Sequence, residues 1–180
     1  MDDDIPPRRA RPMPRRLRRK VLALGLLAGA LGLTMIAPPR PRLVWNVSPS
    51  APVGLYLVGG RGDIARGDMA IAWVPQPWRR LAAGRRYIPI NVPLVKRVAA
   101  VPGDTVCAQR GHVFVNGRWA AWQRPYDGSG RSMPAWQGCV TLRDGAMLLL
   151  MEARDSFDGR YFGPTQSSDI VGEATLIWAR

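Results

Sequence analysis

Histidine is nearly absent from this 180-residue chain, and lysine is almost as scarce. The one histidine, His112, lies in a strand-like run with no serine or cysteine pattern beside it, so a Ser-His-Asp triad is hard to build. Two cysteines, Cys107 and Cys139, and one histidine fall short of the clustered ligands that zinc needs, so neither metal nor cofactor is expected. Acidic residues number 13 against 26 basic ones, a net charge of +13. Long apolar runs are missing, with one exception near the amino terminus. This length holds one compact domain and a tail, not two ordinary domains.

Much of the basic excess sits at the front, in Arg8, Arg9, Arg11, Arg15, Arg16, Arg18, Arg19 and Lys20. The exceptional apolar run follows at once, from Val21 to Ala37, and as a helix it would reach roughly 25 Å, at the short end for crossing a bilayer. Its apolar residues go all the way round, unlike the stripe of a core helix. Met35-Ile36-Ala37 before Pro38-Pro39 is a poor signal-peptide cleavage site. Basic flanks stay cytoplasmic, so residues 1–20 read as a cytoplasmic tail and 21–37 as a single transmembrane helix. Everything beyond then lies in a periplasm-like space outside a bacterial inner membrane. The same rule accounts for the densest basic run, so nucleic acid is not an expected partner.

Pro38 to Arg42 should form a stiff, extended stalk, assigned to 38–45, that keeps the next segment close to the membrane. From Val53 onward the pattern is of short β-type runs cut by glycine and proline: VGLYLV, MAIAWV, PLVKRVAAV, HVFVNG, AMLLLM and ATLIWA. Asn116-Gly117 is a hairpin turn signal. No long amphipathic helical pattern appears, so 46–180 reads as a mainly β domain. Trp119, Trp122 and Trp136 fall between the cysteines, and that stretch reads as a small cap or flap, about 107–139. On the oxidising side of a membrane Cys107 and Cys139 are expected to be bridged, which would tie the cap at its base.

The lysine bias is the chemical clue. Only Lys20 and Lys96 are lysine, and Lys20 belongs to the cytoplasmic flank. Wherever else the outward domain uses a cation it uses arginine, whose guanidinium cannot release its proton, whereas a lysine amine in an apolar setting can be pushed toward neutrality and act as a base. From the residues alone Lys96 stays open between that role and a solvated strand position. Its nucleophile would come from NVSPSAPVGLY, where Ser48 and Ser50 sit among prolines, also ordinary turn residues. If the chain is a serine hydrolase, a Ser-Lys pair is favoured over a histidine triad.

Taken together, SPSAPVG, VKRVAAVPGD and RDSFDGRYFGP resemble, in order, the nucleophile, lysine and third boxes of the bacterial type I signal peptidases. The proline two residues after the serine, the V-G-L-Y that follows, the SFDGRYFGP form and the short two-cysteine cap are similar to the conjugative-transfer branch called TraF. The resemblance implies a signal-peptidase-like antiparallel β-sheet domain behind one transmembrane helix. It implies Ser50 as nucleophile, Lys96 as general base, and an oxyanion hole from Ser48 and the Ser50 N–H. Ser156 would orient the lysine, and Asp158 and Arg160 would form a supporting ion pair. It further implies a membrane-bound endopeptidase cutting extended precursors beside small residues, maturing a conjugative pilin or other exported protein. A general leader peptidase and a non-catalytic pilus or secretion component stay open as alternatives. Ala51 replaces the family's usual methionine, so the substrate pocket can differ where the chemistry does not.

Overall fold

A computed structural model describes residues 14–36, 41–62 and 64–180. The chain divides into two units, Met1–Arg40 and Pro41–Arg180. The first contains one helix, α1 (Arg15–Ile36). Its first turns are spent on Arg15, Arg16, Arg18, Arg19 and Lys20, and among the described residues no helix is long and apolar enough to cross a membrane. The start of the cytoplasmic tail, Ala37 at the end of the apolar run, and Pro38 to Arg40 of the stalk lie outside the described residues.

The second unit is built on antiparallel strands. One sheet of six has the order β1 (Leu43–Asn46), β2 (Gly54–Val58), β10 (Ile170–Ala179), β3 (Met69–Ala72), β4 (Leu94–Ala100), β9 (Leu148–Leu150). A sheet of four has the order β7 (Arg118–Trp122), β6 (His112–Val115), β5 (Thr105–Gln109), β8 (Gly138–Thr141). Val106 and Val113 of the smaller sheet, with Leu142 just past β8, pack with Ala100, Leu148 and Leu150 of the larger in one buried cluster. Asn116 and Gly117 both take positive φ, 49° and 76°, as a tight two-residue hairpin turn demands.

The structure differs from the expectations in two places. Leu43 to Trp45 are not stalk but strand β1, paired with β2, because alternate residues Val44 and Asn46 are buried. A nine-residue helix, α2 (Gln76–Gly84), stands where no helix was expected. It is amphipathic but short; Pro77 lies in its first turn, and Ala82 is buried with Leu94, Phe157 and Tyr161. Between Thr105 and Thr141, the stretch read as the cap, all four strands form one sheet, with Cys107 directly opposite Cys139.

Candidate active site

Asn46 closes β1 and organises the turn that follows. Its buried amide Nδ2 donates to the carbonyls of Ser48 (3.0 Å), Ala51 (3.2 Å) and Pro52 (3.0 Å), while its Oδ1 accepts from the Ser48 N–H at 3.1 Å. Tyr56 braces the far end by donating its hydroxyl to the Pro52 carbonyl at 2.8 Å. Two prolines and this one amide therefore hold a loop of serines in a single shape, with Ala51 buried beneath and Ser50 half-buried above. Asn46 was not singled out from the sequence.

Lys96 lies mid-strand in β4, opposite Ala70 of β3. Its side chain is 3% exposed, and its Nζ lies 2.7 Å from Ser50 Oγ and 2.9 Å from Ser156 Oγ. Burial pushes the amine down from 10.5 to about 8, against Asp158, which favours the ammonium, and together with Arg160, which opposes it. A neutral fraction is thus available near physiological pH, which an exposed lysine lacks. Ser48 Oγ is 2.9 Å from Ser50 Oγ and accepts from the Ser50 N–H at 3.4 Å, so the Ser48 hydroxyl and the Ser50 backbone N–H both lie next to the Ser50 side-chain oxygen.

The third box sits under these groups. Asp158 caps the single-turn helix α3 (Gly159–Phe162) and is fully buried. Its carboxylate accepts Arg160 Nε at 2.7 Å, Arg160 Nη2 at 3.0 Å and the Met151 N–H at 3.0 Å. The Arg160 guanidinium also donates to the carbonyls of Met151 and Arg154. A buried charge pair is tolerable only when satisfied this fully, and the pair fastens the end of β9 to α3 with Ser156 on the intervening turn. Only glycine fits at 159, because a Cβ there would lie 2.8 Å from the Leu149 carbonyl oxygen.

A cleft of ≈ 260 Å³ opens over the three serines and the lysine. Trp45 to Ser50 form one side, Tyr87 to Pro89 and Val92 to Val95 the other, and Asp155 to Phe157 the end. All six residues expected at the site, Ser48, Ser50, Lys96, Ser156, Asp158 and Arg160, thus lie in or directly behind one cleft. His112 is elsewhere, its Nδ1 accepting from Trp119 Nε1 at 3.2 Å. Cys107 and Cys139 are joined as a disulfide with Cα atoms 4.0 Å apart. Among the described residues no group of His, Cys, Asp and Glu is placed to hold a metal ion.

A family model described as "Signal peptidase, peptidase S26" matches residues 15–179. The chain belongs to this signal peptidase family. Within it, the chain is 34% identical over 137 residues to a plasmid transfer protein TraF of Escherichia coli, covering 70% of this chain and 77% of that protein. It is 31% identical over 164 residues to the conjugal transfer protein TraF of Agrobacterium fabrum, covering 85% and 89%. The TraF-like branch of the S26 peptidases is thereby its place. A signal peptidase I from Enterococcus faecalis aligns over 63% of this chain and 97% of its own, at 20% identity and a TM-score of 0.36. For an S26 signal peptidase the expected substrate class is a peptide precursor.

Proposed function

We propose that the chain is a membrane-anchored serine endopeptidase in which Ser50 attacks a peptide carbonyl and Lys96 serves as its base. The observation that carries this reading is the 2.7 Å contact between a buried amine, lowered to about 8, and Ser50 Oγ. Neutral Lys96 takes the Ser50 proton as Oγ bonds to the carbonyl carbon. The oxyanion so formed is held by the Ser50 N–H and the Ser48 hydroxyl. The ammonium then gives its proton to the leaving amine as the C–N bond breaks, leaving an acyl-enzyme. Water, or an incoming amine, releases the acyl group with Lys96 again as base. Ser156 keeps the amine aimed at Ser50, and the Asp158–Arg160 pair keeps Ser156 in place.

The cleft is narrow and apolar, which suits an extended segment with small residues next to the scissile bond. Action near the membrane is supported by the exposed leucines of α1, Leu22, Leu24, Leu26, Leu27, Leu31 and Leu33. It is also supported by an exposed apolar face on β1, β2 and β10 that includes Leu43, Trp45, Leu57 and Trp178, with the two tryptophan rings 5.2 Å apart. The positive-inside rule then puts the catalytic unit on the periplasmic side. The names of the relatives favour a precursor of conjugative transfer, such as a pilin, over general leader-peptide removal. The test is cleavage by the purified full chain in detergent of a precursor carrying small residues just outside its membrane segment. Ser50→Ala should be inactive; a folded Ser50→Ala protein that still cleaves would refute the assignment.

A further inference from the structure

The cleft wall facing the serine loop is made by a stretch, 87–93, with no helix or strand of its own. Arg86, at φ 60°, turns the chain out of α2, and the Tyr87 N–H donates to the Ala82 carbonyl at 2.9 Å. The Tyr87 side chain is held by two further sets of contacts: its ring packs on Phe157, and its hydroxyl meets the cap, where it donates to Asp127 and lies 3.3 Å from Met133 Sδ. Residues 126–132 form a small hairpin in which Tyr126 bridges Ser132 and the Asp127 N–H donates to the Arg131 carbonyl at 2.9 Å. The Asp127 side chain is 7% exposed. Its carboxylate accepts the N–H of Ser129 (2.9 Å), the N–H of Arg131 (2.8 Å), Arg131 Nε (2.7 Å) and the Tyr87 hydroxyl. Arg131 lies over the Tyr87 ring, 5.5 Å from its centroid, and Arg85 donates to the Ser132 carbonyl at 2.8 Å. Three of these donors come from the hairpin itself, and the fourth, from Tyr87, is the one that ties the carboxylate to the cleft wall.

Tyr87 has a cavity on each side. It lines the ≈ 260 Å³ cleft and also a ≈ 170 Å³ cavity beneath the hairpin, lined by Arg124, Tyr126, Asp127, Met133 and Tyr161; Asp155 and Phe157 line both as well. The Tyr87 ring packs on Phe157 with centroids 5.0 Å apart. Building on the peptidase reading of the same cleft, we propose that Asp127 is a positioning residue for substrate selection. By pinning the Tyr87 hydroxyl, it keeps that ring as the partition between the two cavities, so that the subsite against the ring takes only a small side chain. A hydrogen bond to a carboxylate is among the stronger ones available; with the charge removed, the Tyr87 hydroxyl keeps only a neutral amide oxygen and the Met133 sulfur at 3.3 Å as partners, and the less firmly held ring can swing toward the second cavity and widen the subsite.

Two substrates differing only in alanine or leucine beside the scissile bond test this, with the full chain in detergent. In Asp127→Asn the ratio of kcat/KM for alanine over leucine should fall about tenfold or more, the range that pocket size commands. Turnover of the alanine substrate and the pH midpoint should stay at their wild-type values. Tyr87→Phe, which keeps the ring and loses the hydroxyl, should relax the ratio in the same direction, and the double variant should relax it no further. Should Asp127→Asn fail to fold by circular dichroism, Tyr87→Phe decides alone. An active wild type with an unchanged ratio in the folded variants, or equal losses on both substrates, overturns this inference and leaves the peptidase reading standing. A wild type that cleaves neither substrate overturns both.

Discussion

Replacing Lys96 by arginine separates charge from basicity at the one position where the two make different predictions. The displacement of the amine from 10.5 to about 8 corresponds to about 3 kcal/mol of preference for the neutral form, at about 1.4 kcal/mol per unit. At about pH 8, half of the wild-type molecules then hold a free base against Ser50. A guanidinium stays protonated throughout, so Lys96→Arg retains the charge and supplies no base. Turnover should fall by roughly a thousandfold or more, the loss expected when a paired nucleophile and base act as a unit, and adding Ser50→Ala should cost little further. The base works without its proton, so wild-type kcat/KM should rise about tenfold per pH unit below about 8 and level off above it. The assay is precursor cleavage by purified protein in detergent across that range, with circular dichroism to establish folding. A folded Lys96→Arg enzyme retaining more than about one per cent of wild-type turnover would refute the assignment of the base, as would a flat wild-type profile.

The same displacement has a consequence for stability. With the folded value below the unfolded one, the unfolded chain holds the extra proton between about pH 8 and 10.5, so stability from this group rises with pH across that window by about 3 kcal/mol. Denaturant unfolding should show the rise in wild type and lose it in Lys96→Met; equal pH slopes would count against a depressed lysine. Ser48→Ala should lower kcat by about a hundredfold with little change in KM, as for loss of one oxyanion donor, and an unchanged kcat would remove Ser48 from that role. Replacing Cys107 and Cys139 together by serine should cost roughly 3 kcal/mol, read as a lower thermal midpoint, and an unaltered midpoint would mean the bridge contributes nothing. A reporter fused after Arg180 should be active only when exported; cytoplasmic activity would overturn the topology.

Lys96 drew attention in the linear chain because the outward domain has no other lysine, and Ser48 and Ser50 because serines between prolines suggest a stiff turn; choosing Ser50 as nucleophile and Lys96 as base took the family resemblance. Ser156, Asp158 and Arg160 were legible only through family resemblance, since an aspartate two residues from an arginine is common on any surface. Asn46 and Asp127 left no readable trace. Both act through backbone carbonyls, backbone amides or a residue far along the chain, and their importance appears only once the loops they hold are folded. Likewise α2 escaped notice because its amphipathic pattern spans only nine residues, short of the long run by which a helix is recognised.

By itself, then, the sequence determined the order of parts: an arginine-rich flank, an apolar run, then a mainly β unit carrying a candidate nucleophile and base. These are properties of residue type and local pattern, which survive in one dimension. Tertiary structure decided the rest, because a pKa is set by what surrounds a group and not by its neighbours in sequence. Pairing β4 between β3 and β9 is what buries Lys96, brings its amine to within 2.7 Å of a serine 46 positions earlier, and lowers it to about 8. In the same way a cap hairpin reaches back 40 residues to hold Tyr87 in the cleft wall, a contact that no local pattern announces.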